Sequence, residues 1–170
     1  GSIGFKRALA IRSIKIKFDK FRLNMPIVGP LLRTIYSARA ARTISSLYSN
    51  GAKMITIVQE TGGTIGNTYV EELFDEIYIK VSTGERLSSA MEDTGVFDPM
   101  LYSMIEVGEE TGDLEETLTS TATYFNNEAD GATERLVSLL EPVFLIFMGI
   151  TIGTIVVAIM QPLLSMYSTV

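Results

Sequence analysis

The chain has no cysteine, no histidine and no tryptophan. Without cysteine there is neither a disulfide framework nor a thiolate metal site, which suits a reducing compartment. Without histidine the commonest general base is gone, and with it the Ser-His-Asp and Cys-His nucleophile systems and the usual zinc sites. Any catalysis would have to run on carboxylates, Lys, Tyr or a metal held by oxygen ligands. Bases are also scarce over most of the chain: residues 43–135 carry eighteen acids against only Lys53, Lys80, Arg86 and Arg135. Such a body repels nucleic acid. No Lys follows the glycines of residues 62–66 at phosphate-loop spacing, and Glu71, Glu72, Asp75 and Glu76 crowd the next segment. That stretch therefore reads as an interhelix turn rather than a nucleotide site.

What the chain does have is one long run without charge. Val143 to Met160 contains eighteen uncharged residues, bracketed by Glu141-Pro142 and Gln161-Pro162. At about 1.5 Å per residue, Leu136 to Leu164 is long enough to cross a hydrocarbon core of roughly 30 Å with tilt to spare. Ten of the fourteen bases fall before residue 43, and none lies beyond Arg135. The positive-inside tendency thus places residues 1–135 in the cytoplasm and the C-terminus on the opposite side. Within the span, Gly149 and Gly153 make a G-x-x-x-G pair, a face that lets another helix approach closely. Glu141 precedes Pro142, whose ring frees the Ser138 carbonyl and bends the helix. An ionisable group at that depth is a functional candidate, with a headgroup-level side chain, solvated or paired with Arg135, as the alternative.

Before the span the chain divides in two. Residues 1–25 form a basic juxtamembrane arm in which Ile3, Phe5, Leu9, Ile11, Ile14, Ile16, Phe18, Phe21 and Leu23 are interleaved with seven bases and a single acid, Asp19. The arm either adsorbs to anionic headgroups or is a linker whose apolar residues pack on the body. Residues 26–130 read as an antiparallel bundle of five to six short helices, and residues 131–170 as a helix leading into the transmembrane segment, about 142–161, and a short tail. Helical spacing over Leu31–Asn50 ends at Gly51, and a short helix from Ala52 to about Glu60 is ended by Thr61–Asn67. A Thr68/Glu71 capping box opens the next helix, which reaches Val81 before Gly84. A two-turn helix starts near Glu85. Asp98-Pro99 supplies an N-cap and an N1 proline, Gly112 a stop, and Asp113/Glu116 a second capping box. The fold class is all-α, one helical bundle followed by one C-terminal membrane helix.

Acids cluster at one place. Glu106, Glu109, Glu110, Asp113, Glu115 and Glu116 have three readings: oxygen ligands for a hard cation, a docking surface for a basic partner, or a solvated face whose first-turn members complement the helix dipole. No residue stands out as catalytic, cofactor-binding or metal-ligating. Glu109, Glu110, Asp113, Glu115 and Glu116 are instead the candidates for a partner interface.

These residues carry a family resemblance. Val107-Gly108-Glu109-Glu110-Thr111-Gly112-Asp113-Leu114 resembles the GE-x-[ST]-G-x-L signature of the type II secretion protein F / type IV pilus PilC family. Leu140-Glu141-Pro142, followed by Gly149, Gly153, Ala158 and Pro162, resembles that family's terminal membrane segment. Arg39, Arg42-Thr43, Gly51, Asn67, Gly84 to Leu87, Phe97 and Pro99 through Met104 extend the likeness to roughly residues 25–165. Ala40 and Asp98 depart from it, standing where the family usually has Phe and Pro. The resemblance implies a non-enzymatic inner-membrane platform protein, multi-pass at full length, of which this chain is the second half. It implies an oligomer that couples a cytoplasmic hexameric ATPase to pilins entering or leaving the bilayer, among other inner-membrane assembly proteins and lipids, with no cofactor. Glu141, Pro142, Gly149, Gly153 and Pro162 would then pack the membrane helix. A type II secretion platform or a competence pseudopilus platform is the alternative within the family. A carboxylate-based membrane enzyme or carrier using Glu141 is the remote one.

Overall fold

The structure, a computed structural model, describes residues 14–167. The first part of the expected basic arm, residues 1–13, and the last residues of the expected tail, 168–170, lie outside the described residues. Helices account for nearly all of the described chain: α1 (residues 14–23), α2 (Val28–Ser49), α3 (Met54–Thr64), α4 (Thr68–Ser82), α5 (Leu87–Glu92), α6 (Pro99–Thr111), α7 (Leu114–Ser138) and α8 (Leu140–Tyr167). The expected all-α class holds, with α2 to α7 as the helical body and α8 as the apolar helix. The chain forms two compact units that divide between Thr133 and Glu134.

Local chemistry sets most helix ends in the first unit. Asp98 accepts from the Met100 amide at 2.9 Å with Pro99 at the first helical position, and Gly112 closes α6 at φ 77°. A left-handed residue there costs glycine nothing and terminates the helix. Asp113 accepts from the Glu116 amide at 3.4 Å, the forward half of the expected capping box at the start of α7.

Two boundaries differ from expectation. Helix α3 does not stop at Glu60 but runs through Gly62-Gly63 to Thr64. The reason is tertiary: a Cβ at Gly62 would stand 2.8 Å from the Phe74 Cβ, so glycine is what lets α3 and α4 meet. The turn comes two residues after Thr64, at Gly66 (φ 76°). At α4, Asn67 rather than Thr68 is the N-cap, its Oδ1 accepting from the Val70 amide at 3.0 Å. Asn67 is already extended, so Thr68 is the first helical residue and the Thr68/Glu71 box does not form.

The core is built from Ile44 of α2, Ile57 and Val58 of α3, Val70, Phe74 and Ile77 of α4, Leu87 and Met91 of α5, Leu101 and Ile105 of α6, and Leu118 and Phe125 of α7. Phe74 and Phe97 meet edge to face at 5.6 Å between centroids, a geometry favoured by the ring quadrupole. Ala38, Ala40 and Ala41 are buried on α2. Burying a core side chain the size of Leu, Ile or Phe contributes about 1.5–3 kcal/mol.

The second unit is simpler. Among its described residues, every one from Leu140 to Pro162 is exposed. A helix that is apolar all round and covered by nothing is matched to lipid rather than to water. It is also the one stretch long and apolar enough to cross a membrane among the described residues. The break between α7 and α8 is a single residue, Leu139. Pro142 has no N–H to donate to the Ser138 carbonyl, and α7 ends at that serine.

Candidate functional site

The acidic signature sits where α5, α6 and α7 meet, and each of its residues has a structural task. Gly108 faces α7 so closely that a Cβ would stand 2.9 Å from Leu114 Cδ2 and 3.2 Å from Thr117 Cβ. Glu109 reaches across to α5, whose N-cap, Arg86, makes no side-chain cap bond. One carboxylate oxygen accepts from the Leu87 amide at 2.8 Å, and the other accepts from the Ser88 amide at 3.4 Å and the Ser88 hydroxyl. The carboxylate thus satisfies donors that a helix start leaves orphaned. The Thr111 hydroxyl donates to the Val107 carbonyl at 2.8 Å and accepts from the Asp113 amide at 3.4 Å. Gly112 makes the left-handed turn, and Leu114 lands on Gly108.

The other acids of the group point outward. Glu106, Glu110, Asp113, Glu115 and Glu116 are exposed, and Glu110 pairs with Arg86 at 3.4 Å across the surface. Only Glu109 of the expected interface residues is half-buried and engaged within the bundle. The structure therefore separates one internal carboxylate from four that form a solvent-facing patch at the start of α7. Its signal in the sequence is register: Glu109 follows buried Ile105 by four residues, on the edge of the face that α6 turns to its neighbours.

Further polar locks tie the first unit together. Arg39 Nη1 donates to the Ile65 carbonyl at 2.6 Å, holding the α3–α4 turn against α2. Arg42 donates from two nitrogens to Asn126 Oδ1 and so joins α2 to α7. The Thr43 and Thr64 hydroxyls meet at 3.1 Å, and Asn67 donates to the Tyr36 hydroxyl at 3.1 Å. Asp19, the lone acid of the basic arm, is buried and accepts from the Thr68 amide at 3.0 Å, a second acceptor at the start of α4. Sequence reasoning missed the tasks of Glu109 and Asp19 because each depends on a helix distant in the chain.

In the second unit, a Cβ at Gly149 or Gly153 would meet no neighbouring group within 4 Å. Gly153 lies in a shallow groove along α8 with Ile150, Thr154, Val157, Ala158 and Gln161. The Thr151 and Thr154 hydroxyls donate to the Phe147 and Ile150 carbonyls, each at 2.8 Å, so neither leaves an unmet polar group on the apolar helix. Glu141 lies exposed in the first turn of α8, followed by Pro142, and Pro162 stands inside the same helix.

Comparison with known proteins covers both units. Residues 40–162 match the family described as Type II secretion system (T2SS), protein F. The chain is 35% identical to the type IV pilus assembly protein PilC of Thermus thermophilus over 152 residues, covering 89% of this chain and 37% of that protein. It is 33% identical to PilC of Pseudomonas aeruginosa, covering 100% and 46%, and 34% identical to the type II secretion system protein F of Pseudomonas aeruginosa, covering 98% and 41%. The chain spans less than half the length of these curated relatives. The match runs from the Ala40 turn of α2 through the signature corner and on to Pro162 of α8, and so the chain belongs to the type II secretion system protein F family.

Proposed function

We propose that the chain is the second cytoplasmic domain and last membrane helix of an inner-membrane platform protein in a type IV pilus assembly machine, coupling a cytoplasmic hexameric ATPase to pilin insertion and extraction. The observation that carries this reading is the single family match joining the helical bundle to the apolar helix, with relatives named as type IV pilus assembly proteins. The second reading, a type II secretion platform acting on pseudopilins, is supported by the relative of that name at 34% identity.

The work is mechanical rather than catalytic. A bundle locked by Arg39 to Ile65, Arg42 to Asn126 and Glu109 to Leu87 moves as one body. Force applied at Glu110, Asp113, Glu115 and Glu116 is then not dissipated in local rearrangement, since close-packed protein interiors transmit strain. The acidic patch suits a basic surface on the ATPase or on a sister copy. The Gly149/Gly153 face of α8 suits neighbouring membrane helices, and the break at Leu139 before Pro142 is a point where the helix can yield. In this arrangement the domain faces the cytoplasm and the C-terminus the opposite side.

Replacing Gly149 and Gly153 with Leu in the full-length protein tests the reading. Loss of piliation or secretion with the helical domain still folded is the expected result. Unchanged assembly would rule out α8 as a packing face.

A further inference from the structure

Helix α1 has two working faces. Successive residues step by roughly 100° around a helix, so Ile16, Asp19 and Leu23 share one side, and that side is inward: Asp19 is 7% exposed and Leu23 4%. Ile14, Phe18 and Phe21 share the opposite side, and they are 69%, 60% and 63% exposed. Met25 and Ile27, just beyond the helix, are exposed as well. Lys15 and Arg22 border this outward apolar stripe on one edge and Lys17 on the other, whereas Lys20 lies nearer the inward side. Lys20 also lies over the Tyr69 ring at 5.1 Å.

The helix is anchored in its orientation. Asp19 accepts from the Thr68 amide, and a Cβ at Gly29 would stand 2.2 Å from the Leu23 carbonyl oxygen, so the end of α1 and the start of α2 are in close contact. The stripe cannot turn inward without breaking these contacts. The only acid of α1 is thus withdrawn to cap α4, and the outward side carries apolar side chains and bases alone.

We propose that the outward face of α1 is an interfacial anchor for an anionic lipid surface, with Ile14, Phe18 and Phe21 sunk below the headgroups and Lys15, Lys17 and Arg22 among the phosphates. Charge complementarity selects this occupant. An apolar stripe edged on both sides by bases matches a layer whose phosphates lie just above its acyl chains, and the basic helix contrasts with the acidic body behind it. The anchor would hold the first helical unit at a membrane surface.

The full chain, reconstituted into vesicles, tests this. Because the sequence contains no tryptophan, Phe18→Trp places a sole indole on the stripe. Ile79→Trp, exposed on α4 near Asp75 and Glu76, serves as the control for an indole on the acidic body. In vesicles of equal parts phosphatidylcholine and phosphatidylglycerol, Phe18→Trp emission is expected to shift to the blue. Acyl-brominated lipid is expected to quench it about two-fold or more above the Ile79→Trp control, as burial of an aromatic at the acyl boundary requires. Lys15→Glu with Lys17→Glu, or vesicles of phosphatidylcholine alone, should reduce the quenching toward the level of Ile79→Trp. Quenching no greater than that of Ile79→Trp in anionic vesicles overturns the proposal, as does quenching indifferent to lipid charge. A blue shift that grows with protein-to-lipid ratio and resists brominated lipid would also overturn it, assigning the stripe to a second copy of the chain.

Discussion

Glu109 on α6 accepts a hydrogen bond from the backbone amide of Leu87 on α5 at 2.8 Å, so a carboxylate of the family signature caps a helix that lacks a side-chain cap of its own. Glu109→Ala leaves the Leu87 and Ser88 amides without their acceptor and should destabilise the helical unit by about 1–3 kcal/mol. Glu109→Gln, which keeps an acceptor oxygen but loses the charge, should cost less. Glu110→Ala, at an exposed ion pair, should stay within about 0.5 kcal/mol. Thermal unfolding of the full chain in detergent, followed by circular dichroism, measures all three.

Neighbouring glycines of α3 should behave oppositely. Gly62→Ala drives a Cβ to 2.8 Å from the Phe74 Cβ, an overpacking that costs about 1–3 kcal/mol. Gly63→Ala meets nothing within 4 Å and should stabilise α3 by up to about 1 kcal/mol through helix propensity. Gly108→Ala, hemmed in by Leu114 and Thr117, should follow Gly62→Ala. Denaturant midpoints at constant slope show these to be changes in stability rather than in the compactness of either state.

Lys80 joins the end of α4 to Asp93, the C-cap of α5, and its ammonium is held above its ordinary value of 10.5 by the hydrogen bond to the Asp93 carboxylate, which outweighs the opposing effect of desolvation and is aided by the charges of Asp93, Glu85 and Glu76. A raised pKa means the folded state binds the proton more tightly than the unfolded state. The pair's contribution is therefore fully present below pH 10.5 and is lost as pH rises through the folded value. The melting-temperature gap between wild type and Lys80→Met should be small, constant through neutral pH, and closed in strongly alkaline buffer. Added salt should narrow it as well.

Glu141 divides the platform reading from a carboxylate-driven carrier. With Glu141→Gln the platform reading expects pilus assembly or secretion to continue at reduced efficiency, because the helix break at Leu139 and the glycine face remain. A proton relay through this residue expects outright loss. Piliation or secretion assays on the full-length variant decide between them.

Much of the fold was legible because its punctuation is local. Asp98, Pro99 and Gly112 act on their own backbone, so the bounds of α6 follow from sequence. The run from Val143 to Met160 needs no context to be read as a membrane helix. Gly62-Gly63 misled because close helix approach and helix termination both call for glycine, and only the position of Phe74 tells them apart. Asp19 lay hidden among seven bases and Glu109 among surface acids. Each carboxylate caps a helix whose amide lies 49 or 22 residues away, a distance over which no periodicity carries information. Of the expected interface acids, the four exposed ones remain where a partner can reach them.

The central claim is that the exposed acids receive the motor's force and that α8 passes it to membrane partners. Photo-crosslinking in native membranes, from probes at Glu110, Glu116 and Gly149 of the full-length protein with mass-spectrometric identification, tests it most directly. The account predicts a hexameric ATPase captured from Glu110 and Glu116, and pilins or pseudopilins captured from Gly149. Capture of nothing but further copies of the protein from all three positions would contradict it, assigning both faces to the oligomer and the motor to another part of the full-length protein.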